Sequence, residues 1–564
     1  MQKDVELDTL LKGNVVSAEE HDEELRWRLE VLKTKLDEGR FQFAQHLVDD
    51  LKRSLSAVRY GPDGKVDLKT VDGRVRSLAL MAAVIQNREE EKAAISLQDI
   101  SNNYFEVIEK NLGHFAVQAK ELGYNANQIA HVVSETPDAV DQLAPQLPNF
   151  VEALGEFWSA VATPSDYHIQ DINGSKAIFG GDLFPSYERN IASTAGLYID
   201  TIVLSDPFYN SRHIFREGSQ KQQVYYLIKH AINVLGYKEL ATADVGNPIV
   251  VFTPFQSSVD DHEAELLRRG TEADGLKHAQ ALYGREFESL DDFRKFSSTL
   301  DTPSRVVEEL SDPDRLLFDT EWQGTLEEKI QRSLDGDWSQ MTGDSHPGQM
   351  VVDTCFGRMG QATDLLLKSR YLMGTPLIDA PTSWNYFNWK LEYNSALAPD
   401  KLTHLHMVKG LQHVAETDEQ WLGDIPPEAL IEMRREGAFE EIRDALASGV
   451  EEIANVNPAG FFRSSDKIVD NIRDAFDVHS RQVGALMKRQ IKFAGHDIGS
   501  MIVAGGIDIA SIAIGTPTFG AASFAVNQLI DVPKLREIPE RFRTLKNAHN
   551  ELRKSPMGML FRHK

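Results

Sequence analysis

His404 and His406 stand one residue apart in HLHMVKGLQHVAE, and His413 follows seven positions after His406, with Glu416 beyond it. Imidazoles are good zinc ligands, and on a strand the first two would share a face, so these three histidines are the chain's metal-ligand candidates. A zinc site needs three or four ligands converging at about 2 Å, which the spacing by itself does not supply. A second acidic and histidine-bearing run, Asp260, Asp261, His262, Glu263 and Glu265, falls where a helix is predicted to start. Carboxylates there are explained by the positive end of the helix dipole. Arg and His also recur six or seven positions apart at Arg40 and His46, Arg473 and His479, and Arg489 and His496. Such a spacing could serve phosphodiester cleavage, with His as acid/base and Arg on phosphate, but three occurrences in a helical chain make it unspecific.

Several specific signatures are absent. There is no GxxxxGK[ST] phosphate loop, no GxGxxG turn, no GxSxG nucleophile elbow, no HExxH zinc helix and no EF-hand loop. The familiar motif-bearing NTPases, dinucleotide enzymes and metalloproteases are thereby disfavoured, while families without a local signature, many nucleases among them, stay open. The single cysteine, Cys355, excludes an intrachain disulfide and reads as a buried, inert thiol. Five aromatics in SWNYFNWKLEY, Trp384, Tyr386, Phe387, Trp389 and Tyr393, could stack bases or sugars, yet beside an acidic body they read as one dense corner of a core.

The elements that must position these residues are mostly helices. Ser17 and Glu20 have capping-box spacing, and Leu25, Leu29, Leu32, Leu36, Phe43, Leu47, Leu51 and Leu55 recur at helical steps, predicting a long amphipathic helix broken near Gly39. The turn-rich YGPDGK at 60–65 reverses the chain. A second helix runs through Val75, Leu78, Ala82 and Ile85, and a third through Leu97 to Leu112 with Gly113 at its C-cap. Residues 164–190 lack periodicity and are expected to separate domains. LYIDTIVLSDPF (197–208) and NPIVVFTPF (247–255) then read as buried strands flanking a helix at 219–236, a β-α-β unit. Ligands gather beyond the carboxyl ends of such strands, so Asp206 and Thr253 are the candidate catalytic or binding positions. The competing reading of the same place is that Asp206 and Pro207 simply open a turn.

The most unusual segment is IGSMIVAGGIDIASIAIGTPTFGAASFAVNQLI, residues 498–530, 33 residues with one formal charge, Asp508. A helix needs about 20 apolar residues to cross roughly 30 Å of hydrocarbon. Gly499, Gly505, Gly506 and Gly515 supply surfaces for close helix approach, and Pro517 after Gly515 suits the reversal of a hairpin. Asp508 would cost about 2.5–3.5 kcal/mol at the centre of an inserted helix, and the second arm, Thr518 to Ile530, is short for an unassisted span. The expectation is therefore a segment that either packs internally or reaches membrane through assembly, where Asp508 faces a partner. Beyond it, Lys534, Arg536, Arg541 and Arg543 surround the apolar face of an amphipathic helix suited to anionic lipid.

Charge sharpens that expectation. The 564 residues hold 86 acidic against 60 basic side chains, a formal balance of −26. Residues 481–564 hold 13 Lys and Arg against 6 Asp and Glu, net +7, leaving 47 against 80, net −33, for residues 1–480. An acidic body of this size argues against a protein whose bulk coats nucleic acid, and makes the tail the place for a polyanionic partner. The opening MQKDVELDTLLKG has no basic n-region followed by an apolar core, which predicts cytoplasmic synthesis.

The chain thus reads as mainly α and multidomain with a small central α/β region. A helical bundle is expected over 1–163, the α/β region over 190–345 and a mixed, mostly helical stretch over 346–460. Residues 461–564 are expected to form a long helix, the Gly/Ala-rich apolar hairpin at 498–530 and the basic amphipathic tail. The leading functional expectation is a non-enzymatic scaffold or effector, defence- or toxin-like in layout, sited in the cytoplasm or against the inner face of a membrane. Its expected partners are an anionic membrane surface, further copies of itself or another protein, and no cofactor is expected. The alternatives are a metal-dependent hydrolase or nuclease using the 190–330 region, and a purely soluble interaction scaffold.

Overall fold

The structure is a computed structural model that describes residues 18–39, 45–62, 65–182, 190–254, 261–318, 322–336, 346–393, 402–414, 425–456, 461–487 and a few positions after 491. Helices dominate, around one small parallel sheet. The chain divides into two compact units, residues 1–100 with 163–168, and residues 101–162 with 169–564.

In the first unit the predicted helix break near Gly39 is present. Helix Ala18–Asp37 is followed by Gly39 at φ 69°, and the next helix is Gln45–Ser56. The leucine ladder does what its spacing predicts: Leu25, Leu29 and Leu32 are buried with Val71, Val75, Ala79 and Ala82, the last three from helix Gly73–Ala94. Asp72 starts that helix by accepting from the Val75 N–H, and Ser54 donates to the same carboxylate. Tyr60 and Val66 form an antiparallel bridge across the predicted turn.

The second unit is built on four strands, β1 (Lys176–Phe179), β2 (Thr201–Ser205), β3 (Val250–Thr253) and β4 (Thr375–Leu377), all parallel in the order β3-β2-β1-β4. Every residue of these four strands is buried, as expected where helices cover both faces of a parallel sheet. The predicted β-α-β unit is present: β2 and β3 are neighbours, pairing Val203 with Val251, and helix Gln220–Leu235 lies between them in sequence. Ser219 and Gln222 close a capping box at its start. Helix Pro347–Tyr371 packs on β1 and β4, and helix Leu402–Val414 packs on β4 and on the long helix Phe461–Met487. That last helix begins where the sequence predicts and buries Ile468 and Ile472.

The structure departs from the sequence reading in four places. The third helix does not stop at Gly113 but runs from Leu97 to Leu122, because Leu112, Phe115 and Ala119 continue its buried face; the glycine beyond its end is Gly123, at φ 66°. Helix Leu147–Asp171 passes through Pro164 and enters the stretch read as a domain separator, where β1 follows. The first unit runs to Ile100 and takes up Thr163–His168 again, so residues 101–162 belong to the same unit as the sheet. Tyr104 and Phe105 lie on Phe252 of β3, with ring centroids 5.5 and 5.8 Å apart, and Trp158 reaches Asp206, so residues 101–162 share the core of the sheet. Finally, the residues of HLHMVKGLQHV form a helix and not a strand.

Candidate functional site at the carboxyl edge of the sheet

From β1 the chain moves outward to β2 and β3 and then crosses to the other side of β1 to lay down β4. The strand order therefore reverses between β1 and β4, and in open parallel sheets the crevice outside the carboxyl ends at such a reversal is where ligands bind. Two acids occupy those ends. Asp182 follows β1 after Gly180 and Gly181, and Asp379 follows β4. Gly181 has φ 82°, and a Cβ there would stand 2.9 Å from Leu365 and 3.1 Å from Ile378. Only glycine lets the chain turn this tightly under the covering helix and deliver Asp182 to the crevice.

Asp182 is 6% exposed. Burial pushes its carboxyl up to about 6, and the charge of Asp379 pushes the same way. The Ser383 hydroxyl and the N–H groups of Asp379 and Ala380 are directed at it and work in the opposite sense. Neither carboxylate oxygen, however, is closed off by a partner at full hydrogen-bond distance and angle. Those N–H groups lie just before helix Pro381–Tyr393, whose positive end faces the carboxylate. Arg358, on helix Pro347–Tyr371, comes within 3.5 Å of the Ser383 hydroxyl. The result is a pair of acids, a hydroxyl and a guanidinium gathered at the carboxyl edge of the sheet from β1, β4 and two helices. Such a set can accept hydrogen bonds from an amine or from sugar hydroxyls.

The two predicted positions at the ends of β2 and β3 do come together: the Asp206 N–H donates to the Thr253 carbonyl at 2.8 Å, and both residues are fully buried. The Asp206 side chain is nonetheless engaged in the fold. It accepts from the Phe208 N–H at 2.8 Å and from the Tyr209 N–H, opening the short helix Pro207–Asn210, and it accepts from the Trp158 indole. Burial pushes its carboxyl up to about 6 against those bonds. Asp206 is thus the start of a turn and a tie to the helix carrying Trp158.

His404 and His406 do not converge. Residues two apart on a helix are separated by roughly 200° around its axis. His406 is fully buried, with Nδ1 2.8 Å from the Ser464 hydroxyl and its ring on Phe461, while His404 meets Tyr198 edge-on. His413 lies on the same helix. Among the described residues no group of three or more His, Cys, Asp or Glu is placed to hold a metal ion. In the acidic run, the helix starts at Asp261 as predicted and Glu265 pairs with Arg268 and Arg269; Asp260 lies outside the described residues.

The aromatic run is a core corner. Trp384, Tyr386 and Phe387 are buried, and Tyr386, Trp389 and Tyr393 surround the buried His278. Cys355 is fully buried in the cluster below, where the apolar surroundings push its thiol up to about 12. Gly499, Gly505, Gly506, Asp508, Gly515, Pro517, Lys534, Arg536, Arg541 and Arg543 all lie outside the described residues. Among the described residues no helix is long and apolar enough to cross a membrane.

Comparison with protein families, with curated proteins and with solved structures returns no match. The site is therefore defined by its geometry alone. Sequence reasoning misses Asp182 because β1 lies inside the Gly- and Asp-rich stretch read as a domain separator, and misses Asp379 because β4 is only three residues long, below what a periodic pattern can mark. The usable signal is an apolar triplet, Ala177, Ile178 and Phe179, followed by Gly-Gly-Asp, which places a turn and an acid straight after a buried strand.

Proposed function

We propose that the protein is a multidomain effector whose α/β unit binds a small polar ligand in the crevice between the carboxyl ends of β1 and β4. The observation that carries this reading is the juxtaposition of Asp182 and Asp379 at the point where the strand order reverses, with both Asp182 oxygens lacking a full-geometry partner. A ligand rich in hydrogen-bond donors, an amine or a sugar-like polyol, matches an acidic pocket of this kind. Thermal unfolding of the full chain against polyamines, aminosugars and nucleosides tests it. At least one probe class should raise the melting temperature, and Asp182→Asn should abolish the shift. A wild-type chain indifferent to all three classes, or an equal shift in the variant, overturns the reading.

A second reading concerns the other end of the chain and is favoured by the charge division, net −33 for residues 1–480 and net +7 for 481–564, together with the 33 nearly uncharged residues at 498–530. On it, the tail engages anionic lipid at the inner face of a membrane or joins copies of the chain, and ligand binding at the crevice is the input to that engagement. Flotation with anionic vesicles at low salt should carry the full chain upward and leave a chain lacking 498–564 at the bottom. Equal flotation of the two chains removes the support.

A further inference from the structure

A different pair of residues, Ser211 and His230, meets at the same edge of the sheet. Ser211 follows the short helix after β2 and is part-exposed, between exposed Asn210 and Arg212. Beneath it, on helix Gln220–Leu235, His230 is 7% exposed and holds its Nε2 2.8 Å from the Ser211 hydroxyl oxygen. The ring is fixed by Phe208, Phe215 and Tyr226, whose centroids lie 5.6, 6.4 and 5.6 Å away. Its other nitrogen, Nδ1, is buried without a hydrogen-bond partner, and so is Nδ2 of Asn233, one helical turn on. Buried polar atoms are rarely left unpaired, and two of them beside a hydroxyl–imidazole pair are hard to account for as structure alone.

We propose that Ser211 is a nucleophile activated by His230, reactive toward activated acyl and phosphoryl esters. A nucleophile and a base within hydrogen-bond reach of each other are the minimum this chemistry requires. With an activated ester, Ser211 Oγ forms the new bond to the carbonyl carbon, its proton passes to His230 Nε2, and the aryl oxide leaves and recovers a proton from His230. Water then hydrolyses the acyl-serine and restores the hydroxyl. With a fluorophosphonate the Oγ–P bond forms, the hydroxyl proton passes to His230 Nε2 and from there to solvent, the P–F bond breaks and fluoride leaves, giving a stable adduct. The base must be neutral to accept the proton; burial keeps the imidazole neutral over the physiological range and, by disfavouring the imidazolium, makes it a weaker base than a free histidine. The pair differs from a complete triad in having no carboxylate on Nδ1, so the reactivity expected is that of a dyad.

The test is labelling of the full chain with a fluorophosphonate, with the adduct located by mass spectrometry, beside burst kinetics with p-nitrophenyl acetate. Labelling should map to Ser211, vanish in Ser211→Ala, and slow by about 10²-fold or more in His230→Gln. The labelling rate should be flat from pH 5 to 8, whereas a merely exposed serine would react faster as hydroxide rises. Each variant's melting curve checks that it is folded. Absence of a Ser211 adduct in the wild-type chain overturns the proposal, as does a rate in folded His230→Gln equal to that of the wild type.

Discussion

The indole N–H of Trp158 donates to the carboxylate of Asp206 deep in the second unit, and the opposite carboxylate oxygen accepts from the Phe208 N–H at 2.8 Å. Both oxygens thus face donors, a pattern that only a carboxylate meets. Asp206→Asn must turn an NH₂ group toward one of them, and the unpaired buried donors should lower stability by about 1–3 kcal/mol at pH 7. Because the two side chains share one interaction, Trp158→Phe should cost markedly less in the Asp206→Asn background than alone. Denaturant unfolding of the four chains of this cycle measures it, and strictly additive losses would contradict the coupling.

Two buried groups should give the stability opposite slopes with pH. Asp206 is raised to about 6 from an unfolded value of about 3.9, so its contribution is complete below pH 4 and is lost as pH rises through 6. His230 is lowered to about 3 from about 6.5, so its contribution is complete above pH 6.5 and is lost as pH falls toward 3. Between pH 4 and 6 the two oppose each other. Relative to the wild type, the stability of Asp206→Asn should then fall more steeply on acidification, and that of His230→Gln less steeply, in denaturant titrations at half-unit pH steps. Parallel curves for both variants would show that neither group titrates in that window.

The parts of this architecture that could be read from residues are those where one pattern runs long enough to be unambiguous. Leu25, Leu29 and Leu32 forecast a buried helical face, and the β-branched run around Ile202 and Val203 forecasts a buried strand, because each pattern spans its whole element. β4 could not be read, since Thr375, Pro376 and Leu377 are too few to show any period, and with it went Asp379 and the reversal of strand order that makes the crevice. His404 and His406 illustrate the opposite failure. Their alternation suits a strand, but Leu405 and Val408 are both fully buried and the stretch folds as a helix, so spacing read with the wrong period brought together side chains that the fold separates.

Lys390 and Asp274 form an ion pair whose side chains are 1% and 3% exposed, joining helix Pro381–Tyr393 to helix Asp261–Tyr283. Neither charge has water to fall back on. Lys390→Met should therefore cost about 3–5 kcal/mol by leaving the carboxylate uncompensated, while the double variant Lys390→Met with Asp274→Leu should recover most of that loss. Thermal and denaturant unfolding of the two variants beside the wild type decides it. A Lys390→Met chain as stable as the wild type would mean that the pair does not share a desolvated environment.

Gly113 and Gly123 lie ten residues apart and should answer an alanine substitution with opposite signs. Gly113 sits inside helix Leu97–Leu122, where a Cβ would meet only the Glu109 side chain, 3.1 Å from its Cγ. Glu109 is flexible enough to yield there, even though its carboxylate also pairs with Lys238 at 2.7 Å. Alanine has less backbone freedom to lose than glycine, so Gly113→Ala should stabilise by about 0.5–1 kcal/mol. Gly123 follows the last residue of the helix at φ 66°, where the open space around it offers no steric objection but the backbone does. Gly123→Ala should cost about 1 kcal/mol through that left-handed conformation alone. Had the helix ended at Gly113, as its sequence position suggests, the signs would be reversed, so the two melting temperatures report directly on where this helix stops.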